Sequence, residues 1–334
     1  MNLMETVQVD TTPAAGILFA YHFKPDGTSE LIPTGHVDEA IRRDDGWFWV
    51  HLSLADNRCR HWVAQHAPLS DITREILTGP DEHQRLDIFG REIVGVVPDL
   101  QLDFSRPTEE LSRLRFALTD NLLVTIRRAH LRSIETARQS IAAGTRFTSP
   151  IDLLDAIVDH FADFVNKLAE RLGGELDVAE EHVWRDDLDD QSQRIAHTRN
   201  QAIRVHRQLS QMCSLFHRLE PRLTITHPEW ASPIRSLAQK LDAFDHSIAA
   251  IHDRARLLQE EMSAKMAAIT NRRLFTLSIL TAGILPPTLV TGFFGMNTKD
   301  MPFQNTDGGT WYALAVAAAA GAFTYWALQR LRAL

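Results

Sequence analysis

Cysteine is scarce in this 334-residue chain: Cys59 and Cys213 stand far apart and form no CxxC pair, which excludes a disulfide framework and a cysteine zinc finger. Basic clusters are scarce too. Lys and Arg total 35 against 43 Asp and Glu, a formal charge of −8, and no basic face or tail of the kind that neutralises phosphates is present. Nucleic acid is therefore excluded as a partner. The first residues lack a basic stretch followed by an apolar run, so no secretory signal is expected and the large N-terminal part reads as cytoplasmic. No GxSxG, HExxH, P-loop or Gly-rich dinucleotide fingerprint occurs, so the chain does not read as an enzyme and no catalytic cofactor is expected. Between Gly174 and Gly283 there is no glycine, and the only prolines are Pro221, Pro228 and Pro233. Such a stretch folds as long helices.

What is present begins with short β-type runs between residues 15 and 128. Gly16–Phe23, Trp47–Leu52, Glu92–Val97 and Leu122–Ile126 are rich in β-branched and aromatic residues, with turns such as Pro25-Asp26-Gly27 and Asp44-Asp45-Gly46 between them. Asp56–Ala67 and Ser70–Leu77 read as helices, the latter with Ser70 as N-cap. An α/β N-terminal domain over 1–150 is expected. Three long helices are expected next: Ile151–Trp184 with an interruption at Gly173-Gly174, Asp190–Leu219 ending before Pro221, and a third from Pro233 to Pro286, on the order of 80 Å long. On the third, Ile234, Leu237, Leu241, Phe244, Ile248, Ile251, Ala255 and Leu258 recur every three or four positions, the stripe of a stalk packed against sibling helices over 151–272.

Long apolar runs occur only near the C-terminus. Leu274 to Phe294 carries no charge and is long enough for a hydrocarbon layer of roughly 30 Å. Trp311 to Leu328 is a second uncharged run, with Trp311, Tyr312, Tyr325 and Trp326 at its ends, where amphipathic rings favour the headgroup level. These give a two-helix hairpin: spans over 273–295 and 310–329, an outer loop over 296–309 and a tail over 330–334. Arg272 and Arg273 precede the first span and Arg330 and Arg332 follow the second, so both termini are expected in the cytoplasm of an inner-membrane protein.

Leu274, Leu277, Thr281, Leu285 and Thr288 fall on one face of the first span, neutral oxygens alternating with apolar groups and no carboxylate among them. Such a face suits a path for a cation that keeps most of its water. Threonine hydroxyls that bond back to the preceding turn explain the same residues without a pore, and both readings stand at this point. Pro286-Pro287 removes backbone donors and is expected to bend the helix. Among fifteen histidines, His217 lies four residues from Cys213 on a helix, a pair of metal ligands if others join them; His182 with Glu181 or Asp186 is a similar pair.

Gly295-Met296-Asn297 at the outer end of the penultimate span, Met301-Pro302 in a short loop and one terminal span resemble the CorA superfamily of divalent-cation transporters. The Pro286-x-Thr288 spacing and the order of an α/β domain, long helices and two spans resemble it as well. The resemblance implies a homopentameric funnel in which five copies of the first span surround a pore. It implies that Asn297 forms an amide ring at the outer mouth, that Thr288 supplies a second polar ring, and that Leu277 and Leu285 are constrictions able to gate by dewetting. Magnesium-transporting relatives carry glutamates after Met-Pro, whereas Phe303 and Gln304 stand here, with Lys299 in place of an acid and Asp300 and Asp307 as the remaining carboxylates. That pattern is more similar to the zinc-associated ZntB branch. Zn2+ is therefore the expected cargo, with Mg2+ or Co2+ as the alternative, a regulatory role for the same ions, and proton-coupled uptake as one mode. A membrane-anchored coiled-coil scaffold is the reading outside transport.

Overall fold

The computed structural model describes residues 16–43, 45–101, 111–187, 190–296, 302 and 308–332. They divide into two compact units, one of 1–184 with 193–256, the other of 185–192 with 257–334.

The first unit holds a seven-stranded sheet: β1 (Ile17–Phe23), β2 (Ser29–Ile32), β3 (Trp47–Ser53), β4 (Arg85–Phe89), β5 (Glu92–Leu100), β6 (Leu111–Leu118) and β7 (Leu122–Arg127). Their order is β2-β1-β3-β7-β6-β5-β4. Only β3 and β7 run parallel, Val50 opposite Val124. β3 shows why the sheet is central. Successive side chains alternate faces, so Trp47 and Trp49 enter one core while Phe48, Val50 and Leu52 enter the other. The second core is closed by α1 (Val37–Ala40), α2 (Asn57–Gln65) and α3 (Asp71–Thr78). The first is closed by α4 (Arg132–Ala142), α5 (Pro150–Trp184), α6 (Gln191–Thr226) and the N-terminal part of α7 (Pro228–Phe294). Gly46 makes the turn into β3 at φ +148°, where a Cβ would lie 2.1 Å from the Phe23 carbonyl oxygen. No other residue fits there.

Ser70 caps α3, and its backbone N–H and hydroxyl both donate to Glu92 on β5, at 2.8 and 2.7 Å. The long helices are cross-tied: Lys240 donates to both Asp159 oxygens at 2.8 and 2.9 Å, and Arg254 bridges Asp177 and Glu180. Their boundaries correct three expectations. α5 passes through Gly173-Gly174 unbroken, α6 continues through Pro221 to Thr226, and α7 starts at Pro228 rather than Pro233. Proline inside a helix costs about 3 kcal/mol. The buried Phe216, Leu219 and Leu223 on either side of Pro221 supply more than that by staying on one helical face.

Asp99, on β5, is 1% exposed. It accepts from the Leu100 N–H at 2.7 Å and from the Ser133 hydroxyl in the first turn of α4. Burial pushes its carboxyl up to about 7 against these hydrogen bonds. Between about pH 4 and that value the folded state holds a proton the unfolded chain has released, so stability is full below the unfolded pKa and falls as pH rises. The decline should reach about 4 kcal/mol by pH 8. Urea midpoints at pH 5 and 8 check this: Asp99→Asn is expected to flatten the decline, and an unchanged slope would assign it to other groups.

The second unit contains 257–294 of the 67-residue α7 and α8 (Gly309–Arg332). α8 covers α7 with small residues: Ala317 is buried, and a Cβ on Gly321 would lie 3.3 Å from Pro287 Cγ. Small residues let helix backbones approach where no hydrophobic drive exists.

Candidate functional site

The uncharged stretch of α7 has two unlike sides. Ile279, Ala282, Gly283, Pro286, Pro287, Val290 and Phe294 are half-covered, the side on which Gly321 of α8 packs. Leu274, Leu277, Thr281, Leu285, Thr288 and Gly292 are all exposed on the opposite side. The face drawn from helical spacing lies within a wider exposed surface of α7 that also takes in Phe275, Leu280, Ile284, Leu289 and Phe293. Among the described residues α7 is the one helix long and apolar enough to cross a membrane, and none of that stretch is buried. An open apolar cleft of about 1290 Å³ runs along it from Leu280 to Met296, with Val316 of α8 and Pro302 on its wall.

The threonine hydroxyls bond the backbone one turn back. Thr281 donates to the Leu277 carbonyl and Thr288 to the Ile284 carbonyl, each at 2.8 Å. Thr276 does the same to Arg272 at 2.9 Å. A hydroxyl whose hydrogen is committed to a carbonyl turns only lone pairs outward. An exposed oxygen of that kind accepts from the water of a hydrated cation and offers no hydrogen to an anion. The local back-bond is therefore compatible with a polar path.

At the end of α7 the Gly295 N–H donates to the Thr291 carbonyl at 2.9 Å and the Met296 N–H to the Phe293 carbonyl at 3.2 Å, closing the last turn. Asn297, Lys299, Asp300 and Asp307 lie outside the described residues.

Cys213 and His217 occupy one face of α6, and Asp242 on α7 joins them. His217 Nε2 lies 2.7 Å from Asp242 Oδ2, and the same carboxylate acts electrostatically on the Cys213 thiol. Burial, with Asp242 and Asp245 adding to it, pushes that thiol up to about 12, which keeps it protonated and unlike a thiolate ligand. Among the described residues no group of three or more His, Cys, Asp or Glu side chains is arranged to hold a metal. Asp242 was invisible to sequence spacing because it comes from another helix.

A match to the family described as CorA-like Mg2+ transporter protein extends over residues 44–330. The chain belongs to this family. The zinc transport protein ZntB of Yersinia pseudotuberculosis is 25% identical over 313 residues, 91% of each chain. The solved structure of full-length CmaX superposes with a TM-score of 0.79 at 20% identity, covering 95% of this chain and 98% of that one. The complete structure of the CorA magnesium transporter from Methanocaldococcus jannaschii gives a TM-score of 0.73 at 16% identity, covering 93% and 97%. At such identities the structures establish the fold, which is the α/β domain and long helix described above. This CorA-family chain is a divalent-cation transporter and not an enzyme.

Proposed function

We propose that this CorA-family protein moves hydrated Zn2+ across a bacterial inner membrane as a homopentamer. The exposed face of α7 from each copy lines a central path, α8 forms the second span, both termini are cytoplasmic, and the loop over 296–309 faces outside with Asn297 at the mouth. The observation that carries this reading is that Leu274, Leu277, Thr281, Leu285 and Thr288 share the open face of α7, with the two threonine oxygens turned outward as acceptors. Leu277 and Leu285 then alternate with Thr281 and Thr288 as dry and wet levels, so closing the path requires only that water leave a leucine ring. No Asp or Glu occurs on α7 beyond Glu261, and a path without carboxylates does not strip the ion.

Zinc is supported by the ZntB name of the relatives and by Lys299 and Phe303 in the outer loop, which weaken the external negative field that magnesium-type loops maintain. Uptake into liposomes containing the purified protein tests it, with zinc, magnesium and cobalt compared with and without an inward proton gradient. Zinc flux above magnesium flux is expected, and stimulation by the gradient would add coupling. Magnesium flux equal to or above zinc flux would make this a CorA-type magnesium channel.

A further inference from the structure

The second unit carries positive charge at one end with little protein charge to balance it. Arg272 and Arg273 stand exposed immediately before Leu274, and neither has an ion-pair partner among the described residues. After Glu261 the sequence has no Asp or Glu until Asp300, and none after Asp307. Apart from Asp300 and Asp307, the Asp and Glu residues of this unit precede residue 262, and one of them, Asp186, is engaged by Lys265 at 3.2 Å. On α8 the Arg330 guanidinium lies over the Trp326 ring at 5.5 Å, and Gln329 Nε2 donates to the Tyr325 hydroxyl at 2.9 Å.

These groups reach one level. From the contact of Gly321 with Pro287, Arg330 lies about 13 Å along α8 and Arg272 about 22 Å back along α7. The difference of about 9 Å is within the combined reach of two arginine stems, whose methylenes lie on apolar surface while the heads move toward water. A guanidinium over an indole can keep N–H groups free, and its fork matches two oxygens of a phosphate. Trp326 and Tyr325, 54% and 60% exposed, are the residue types that settle at headgroup depth.

We propose that Arg272, Arg273, Trp326 and Arg330 form a binding site for the phosphate of an anionic phospholipid, whose charge replaces the carboxylates this end lacks. The site rests on the membrane reading given above. Basic groups directly cytoplasmic of a span are drawn to an anionic leaflet, and here two helices present them together.

The test reconstitutes the full chain in nanodiscs of phosphatidylcholine alone and of phosphatidylcholine with a minor fraction of phosphatidylglycerol, followed by native mass spectrometry of the lipids it retains. Retained phosphatidylglycerol is expected to be enriched roughly tenfold over its bulk share. Arg42→Gln, a charge-matched exposed change in the first unit, should leave the enrichment unchanged, while Arg330→Gln and the Arg272→Gln/Arg273→Gln pair lower it toward the bulk ratio. Brominated phosphatidylglycerol should quench the wild type more than Trp326→Phe. If the double variant fails to insert, Arg330→Gln alone carries the test. Equal retention in wild type and variants overturns the site, and displacement by inorganic phosphate overturns lipid as its ligand. Failure of the wild type to enter either disc overturns the membrane reading itself, a result seen as loss of co-elution before any lipid is weighed.

Discussion

Asn297→Ala is expected to lower zinc flux into liposomes at least about tenfold while leaving the amount of protein inserted unchanged. Asn297 follows Met296 in the sequence, and the last turn of α7 is closed by the Gly295 and Met296 N–H groups ahead of it. On the proposed reading, the mouth loses a carbonyl oxygen and two N–H donors. A hydrated divalent cation is a charged donor through its water, and a hydrogen bond to a charged group contributes about 1.5–3 kcal/mol. One such loss at the rate-limiting level is worth about tenfold or more, and the proposed homopentamer would lose several at once. Asn297→Asp separates amide geometry from simple oxygen supply: it keeps acceptors and adds charge, so flux should persist with a shifted preference among zinc, magnesium and cobalt. Equal zinc flux in wild type and the alanine variant would remove Asn297 from the mouth and leave the α7 threonines as the first polar level.

That Leu274, Leu277, Thr281, Leu285 and Thr288 share one side of α7 was legible because periodicity alone orients a helix: residues spaced by three and four lie on one side whatever packs on the other. The strands of the two cores were legible where both faces are apolar, as in Trp47–Leu52. β6 was not, because Arg113 and Arg115 interrupt its apolar pattern, and nothing local shows that Arg115 turns into the protein rather than out of it. The parallel pairing of β3 with β7 and the meeting of Cys213 and His217 at Asp242 were illegible for a similar reason, since each joins segments with no fixed spacing. Pro221 misled because a local rule, that proline ends helices, lost to burial on both sides of it. The basic end of the second unit was read only as a marker of orientation; its lack of balancing carboxylates becomes visible once the two helices are brought to one level.

Arg115→Met is expected to destabilise the first unit by about 3–5 kcal/mol. Arg115 is 2% exposed, and its Nη1 donates to the carbonyls of Ile76, Leu77 and Gly79 at 3.0, 3.3 and 2.8 Å. Its Nη2 donates to the Asp81 carbonyl at 2.8 Å. Those oxygens belong to the last turn of α3 and the turn after it, where a helix leaves its carbonyls without partners and carries the negative end of its dipole. The guanidinium is thus the C-terminal cap of α3, supplied from the sheet. Burial lowers its pKa, with Arg128 adding to the effect, yet a guanidinium starts so high that it stays charged. Methionine keeps the apolar stem and removes every donor, so four oxygens lose their partner, that of the buried Leu77 among them, at about 1–3 kcal/mol for each that stays dry. Lysine restores a charge but not the planar fork, and should recover part of the loss. For a unit of this size the methionine variant should melt roughly 10 °C lower. Hydrogen exchange should show α3 opening before the sheet. A melting point unchanged by Arg115→Met would mean that water replaces the guanidinium and that α3 is held by its apolar face alone.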